Sequence, residues 1–242
     1  MAVNTTITRS DRDHRLYTWF AILMPLIVLV GFARTYYLKG LFDGSALPSL
    51  LVHLHGVVMT AWVLLFMAQV WLVASSRTRL HMRLGVVGVV LALLVLLVGT
   101  TTAIWGAARG STPGPPPLQF LVVPLGDVLL FGTLIGSALY FRRRRLDVHK
   151  RLMLIAAVNL LTPAIARIPL SFILNGGPLV FFGLTDLCLI ACVAVDTFKQ
   201  RKLHPAFLWG SLLVIVSQPL RLMLSGTEPW MQFATWLVSF AK

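Results

Sequence analysis

Charged side chains are few in this sequence, 12% of 242 residues, and acidic ones fewer still: eight Asp and Glu against 21 Lys and Arg. A soluble domain carries about a quarter of its residues charged. With 57% hydrophobic residues, the chain has too little polar surface for a water-soluble globule, and that class is excluded. Cysteine is nearly missing. Cys188 and Cys192 are one helical turn apart and cannot staple distant segments, so no disulfide framework exists. They read as two soft metal ligands or, more simply, as small buried apolar residues. Lysine is missing from every long apolar run, which leaves no amine for a retinal Schiff base. Alternation of apolar and polar residues is missing too. The apolar residues come in runs of about 20 or more, the length a helix needs to cross about 30 Å of hydrocarbon, which excludes a barrel.

What is present is an all-α, polytopic membrane helical bundle in a single domain, 1–242. Seven spans are predicted at 16–35, 49–74, 82–107, 119–141, 151–174, 179–198 and 206–226, followed by an interfacial tail at 229–242. Basic residues divide unevenly between alternate loops. Arg9, Arg12, Arg15, Arg77, Arg79, Arg83, Arg142 to Arg145, Lys150, Arg151, Lys199, Arg201 and Lys202 fall on one side; Arg34, Lys39, Arg109 and Lys242 fall on the other. By the positive-inside rule the N-terminus is cytoplasmic and the C-terminus external. The net charge of +13 is dealt out among short loops, so it signals topology and anionic lipid rather than nucleic acid. No signal peptide is read at the start, because the first span is too long for an h-region and lacks a small-residue cleavage site.

Histidine recurs at the cytoplasmic starts of alternate spans: His81 in "TRLHMRLGVV", His149 in "LDVHKRLMLI" and His204 in "KLHPAF". A leading helix followed by three hairpins, each with a basic inner loop ending in histidine, makes a weak internal repeat of the sort that builds a bundle around a central polar site. At about 1.5 Å per residue, His53, His55, Asp127, Arg167, Asp186 and Arg221 fall in one layer about 6 to 12 Å below the outer surface. Each would be costly at a bilayer centre, so they should face inward and pair. Arg167 and Asp186 are equally far from the "NGGP" turn and are predicted to meet across it. Of the two adjacent histidines only one can face the core, because residues two apart on a helix point about 200° apart. His55 is the expected one, in line with Met59, Trp62, Val63 and Phe66, and His53 is left to the interface or a neighbouring subunit. Pro124, Pro163, Pro169 and Pro219 fall in the same layer. Each removes a backbone hydrogen bond, which a membrane tolerates where neighbours or a wet cavity satisfy the freed carbonyl. An outward-facing polar cavity is expected there, although prolines are also common in ordinary membrane helices and arginines near span ends snorkel to headgroups.

The run "HGVVMTAWVLLFMAQ", then "LHMRLG", then "HKRLMLIAAVNLLTPAIAR" resembles a widespread family of uncharacterised bacterial inner-membrane proteins, over about residues 49–174. More distantly, that four-helix stretch is similar to the diheme cytochromes b of the ascorbate-dependent and ferric reductase type. The resemblance implies heme b, with His55 as an outer ligand and His81 and His149 as the inner pair. Arg79, Arg83 and Arg151 would be near the propionates. The fourth ligand position holds Asp127 instead of histidine, so the resemblance supports at most the inner heme.

Three functions are open on the sequence. One is electron transfer by a b-type heme protein, between quinone or a cytoplasmic donor and an outer acceptor. A second is a small-solute or proton-coupled transporter using the His55, Asp127, Arg167 and Asp186 layer. The third is a membrane enzyme or assembly factor holding a lipidic cofactor there.

Overall fold

The computed structural model describes residues 9–42, 49–111 and 116–241. Lys242 and the side chains of Arg9, Arg12 and Arg15 lie outside what is described. Every regular element among the described residues is helical: α1 (Arg9–Phe32), which runs on into a single π turn (Ala33–Tyr37), α2 (Lys39–Phe42), α3 (Leu50–Ala74), α4 (Thr78–Ala108), α5 (Pro117–Phe120), α6 (Val122–Phe141), α7 (Leu146–Asn159), α8 (Thr162–Ile165), α9 (Ser171–Asn175), α10 (Gly177–Gln200), α11 (Pro205–Leu224) and α12 (Glu228–Ser239). Seven segments are long and apolar enough to cross a membrane: Leu16–Tyr37, Leu50–Ala74, Thr78–Ala108, Pro117–Phe141, Leu146–Ile165, Gly177–Gln200 and Pro205–Leu224. The chain is a seven-span helical membrane protein.

The helices close into a ring. α1 packs on α3, α3 on α4, α4 on α6, α6 on α11, α11 on α10, and α10 back on α1. The fifth span fills the middle, with α7 against α6, α10 and α11, and α8 against α1 and α10. Its composition explains its place. Leu154, Ile155, Ala156, Ala157, Val158, Leu161 and Ala164 are all fully buried, and the alanines let neighbouring backbones approach closely, which is how membrane helices gain packing. The ring helices instead turn residues such as Leu93, Leu97, Leu129 and Leu187 outward, as a lipid-facing surface requires.

Two expectations fail against this architecture. The three hairpins are not equivalent, since α7 is central while α4 and α11 are peripheral. α7 is apolar through its middle, and its buried polar residues, Arg151 and Asn159, lie toward its two ends. The fifth span is also not one continuous helix over 151–174. It starts at Leu146, breaks between Asn159 and Thr162, and ends at Ile165. Pro163 cannot donate to the Asn159 carbonyl four residues back. The Thr162 hydroxyl donates to that carbonyl instead, at 3.1 Å, so the proline does not leave it an orphan acceptor in the membrane. α12 is amphipathic. Trp230, Ala234 and Val238 are its buried residues, it packs against α4 and α5, and Trp230 Nε1 donates to the Leu118 carbonyl at 2.9 Å.

Candidate functional site

Polar side chains collect at two levels of the bundle, one at each end of the spans. At the end away from the basic loops, the fifth-span break organises the first. Asn159 Nδ2 donates to the Asp127 carbonyl at 3.0 Å, and Thr185 Oγ1, with one proton to give, lies within hydrogen-bond distance of both Thr162 Oγ1 at 3.2 Å and the Phe181 carbonyl at 2.8 Å. Arg221 crosses from α11 to α6. Its NH1 donates to Asp127 Oδ1 at 2.7 Å and to the Val123 carbonyl at 2.9 Å, with both charged side chains buried. The guanidinium lies over the Phe182 ring, 5.1 Å from its centroid. Asp186 accepts from Gln218 Nε2 at 2.7 Å and is near enough to Arg221 for their charges to interact.

The predicted Arg167–Asp186 pair does not form. Among the described residues Arg167 has no carboxylate partner. Its NH1 donates to the Pro163 carbonyl at 2.8 Å, and its Cζ lies over the Phe32 ring, 5.0 Å from the centroid. The reason is the broken helix: counting residues from the "NGGP" turn assumes regular helix on both sides, whereas Arg167 sits in the turn after α8. Its electrostatic neighbour is His55, whose Nδ1 is buried without a partner. His55 lies on the face of α3 that buries Val58, Trp62, Val63 and Phe66. His53 packs its ring against Tyr36 of the π turn, 5.8 Å between centroids. Tyr36 also donates to the His53 carbonyl. A Cβ on Gly56 would meet the Tyr36 ring at 2.3 Å, so this glycine is what lets α1 and α3 close here. The layer predicted as one site is therefore two clusters. Asp127, Arg221, Asp186 and Gln218 form one, and His55 with Arg167 forms the other.

The basic end holds the second level. Arg151 is bidentate to Asp196, Nε to Oδ2 and NH2 to Oδ1, both at 2.9 Å, and its NH1 donates to the Asp147 carbonyl. It is wholly committed to this pair and is not available to a propionate. Asp147 also binds Arg145 and His204 Nε2, the latter at 2.9 Å, while His204 Nδ1 accepts from Ala206 at the start of α11. His204 is thus an N-cap that ties α11 to α7.

His81 and His149 come from different hairpins, yet they are close enough to interact electrostatically. His149 Nδ1 donates to the Ala138 carbonyl at 2.8 Å, near the end of α6. The Gln69 amide, turned so that its nitrogen faces the ring, donates to His81 Nδ1 at 2.6 Å and accepts from the Gly85 amide at 3.0 Å. Neither Nε2 has a partner among the described residues. For a heme iron the two rings are not equally ready. His149 has its proton fixed on Nδ1 and its Nε2 free, the arrangement second-shell partners impose on ligating histidines. His81 keeps its proton on Nε2 while Gln69 donates to it, and rotating that amide so that its oxygen faces the ring exchanges the tautomer. That rotation would give up the hydrogen bond the amide accepts from Gly85, so His149 is set for a ligand as it stands and His81 is not.

Sequence reasoning missed Asn159, Gln218, Asp196 and Gln69. Each is a polar residue inside an apolar run, which is signal enough to find it, but only the ionisable members of the outer layer were weighed, and Asp196 was passed over beside the basic loop. No family model, curated protein or solved structure matches the chain, so what its geometry establishes is a polytopic helical membrane protein with seven candidate spans.

Proposed function

We propose that this protein is a b-type heme carrier of a bacterial inner membrane that passes electrons to or from quinone or another small redox molecule, and that His81 and His149 would hold the heme iron. One observation carries the reading: two histidines from separate hairpins, near enough for their charges to interact, each have Nδ1 engaged and Nε2 without a partner among the described residues. Heme held there supplies a one-electron couple. The chain's own contribution is orientation. The Ala138 carbonyl fixes the His149 tautomer, whereas for His81 the Gln69 amide would have to turn and give up the hydrogen bond it accepts from Gly85. Arg79 and Arg83, exposed beside His81, remain for propionates, while Arg151 does not. A second, outer heme is not part of the proposal, because Asp127 stands at the fourth ligand position and is bound to Arg221.

The test is a reduced-minus-oxidised visible spectrum of protein purified from heme-replete cells. Sharp b-type bands are expected, and His81→Ala or His149→Ala should abolish them, with Gln69→Leu weakening them. A colourless preparation, or bands untouched by both histidine substitutions, would remove this reading. The alternative, a small-solute transporter or membrane enzyme working at the opposite level, is favoured by a different observation, the Arg167 guanidinium beside His55 without a carboxylate.

A further inference from the structure

Arg167 stands out among the arginines inside the bundle. Arg151 is matched by Asp196, and Arg221 by Asp127. The remaining acid of the outer layer, Asp186, is taken up by Gln218. Arg167 is half-buried and gives one N–H to the Pro163 carbonyl, which is free because the Arg167 backbone amide donates to Ala164 instead. The guanidinium Cζ lies over the Phe32 ring, 5.0 Å from its centroid. That leaves the in-plane donors, Nε and NH2, without an acceptor among the described residues, in the fork geometry that matches two oxygens of one anion. His55 adds a second unanswered group, a buried Nδ1 with no partner, close enough to Arg167 for their charges to interact. Two elements bring these groups together by necessity. Gly31 of α1 lies against the backbone of α8, where a Cβ would come within 2.1 Å of the Ala164 carbonyl, and this contact sets Phe32 beside the turn that carries Arg167. The chain is exposed from Pro169 to Phe172, so the turn is reachable from that end of the bundle.

We infer that Arg167 and His55 form a binding site for a singly charged oxyanion, a phosphate or carboxylate, held bidentate by the guanidinium with the imidazole as a further hydrogen-bonding partner. The source is either a free anion or the phosphate of a phospholipid. The site is independent of the heme reading, which concerns the other end of the bundle, and it gives chemical identity to what the alternative reading would handle.

The experiment uses the full chain purified in detergent and stripped of lipid. Thermal stability is followed while sodium phosphate or sodium acetate is titrated, with sodium chloride at matched ionic strength as the control, and native mass spectrometry reads retained phospholipid. In the wild type, saturable stabilisation by an oxyanion but not by chloride is expected, or else a phospholipid that survives delipidation. Arg167→Gln should abolish either signal. Arg167→Lys, which keeps the charge and loses the fork, should weaken it about tenfold and serves if the first variant does not fold. His55→Phe should weaken it less. A free-anion signal lost in these variants supports a soluble ligand. Phospholipid retention lost in them, with no free-anion effect, supports a headgroup. Neither signal in the wild type, or signals that the Arg167 substitutions leave unchanged, would overturn the site.

Discussion

Pro163 has no N–H for the Asn159 carbonyl, and the neighbouring Thr162 hydroxyl supplies one in its place. That exchange of a backbone donor for a side-chain donor lets the most buried helix of the protein break inside the membrane. The break then decides which polar residues meet. Asp127 and Arg221 form a buried pair, and removing one partner leaves the other charge stranded, at about 3 to 5 kcal/mol. A double-mutant cycle on Asp127→Ala and Arg221→Ala, read by unfolding in detergent, should give a coupling of about 2 kcal/mol or more. The same cycle on Arg167 and Asp186 should give coupling within about 0.5 kcal/mol, as for independent sites. Strong coupling there would restore the hairpin pair that the broken helix dissolves. Gly126 tests the pair from another side. A Cβ there would sit 2.1 Å from Arg221 Cδ, so Gly126→Ala should displace the guanidinium and cost nearly as much as losing Asp127.

Helix contacts depend on a few close approaches. α1 reaches α8 only because Gly31 has no side chain to strike the Ala164 backbone, and backbone, unlike a flexible side-chain tip, cannot give way. Gly31→Val should therefore destabilise by about 2 kcal/mol or more, through overpacking. Gly136 has nothing within 4 Å of its would-be Cβ, so Gly136→Ala should change stability by less than about 0.5 kcal/mol. Equal effects at the two positions would mean that α1 and α8 are not in contact. At the basic end, α7 is held to α10 by Arg151 and Asp196 and to α11 by Asp147 and His204. Asp196→Asn should cost about 3 kcal/mol, because it leaves Arg151 buried and uncompensated, whereas Asp147→Asn, at a more exposed pair, should cost about 1 kcal/mol or less.

For the whole molecule, the distribution of charge and the distribution of packing are separate properties. The basic loops gather at one end of the spans, which predicts that end to be cytoplasmic. A reporter fused after Lys242 should be active outside the cell, and one inserted within 142–150 should report the cytoplasm. The reverse pattern would invert the orientation and place the Arg167 turn on the inner side. Packing instead concentrates in the fifth span. It is 67% buried where its neighbours among the long apolar helices are 22 to 44% buried. Substitutions that enlarge Ala156 or Ala157 should be among the most damaging in the chain, since both are fully buried against helices on several sides.

The number of spans and their class were legible in the amino-acid sequence, because each span must satisfy its own backbone and carry about 20 apolar residues whatever its neighbours do; the bounds and the break of the fifth span were not. The inward face of α3 was legible for the same reason, since the spacing of Trp62, Val63 and Phe66 is a property of one helix. The ionisable groups of the outer layer were visible as interruptions of apolar runs. Their partners were not. Which of the seven spans occupies the centre, and that Arg221 rather than Arg167 meets a carboxylate, are both decided by contacts between segments far apart in the chain. Asp127 and Arg221 are 94 residues apart, a separation at which hydropathy and helical period carry no information. Only closing the ring around α7 fixes which faces meet, and the side chains then pair with what that closure brings within reach.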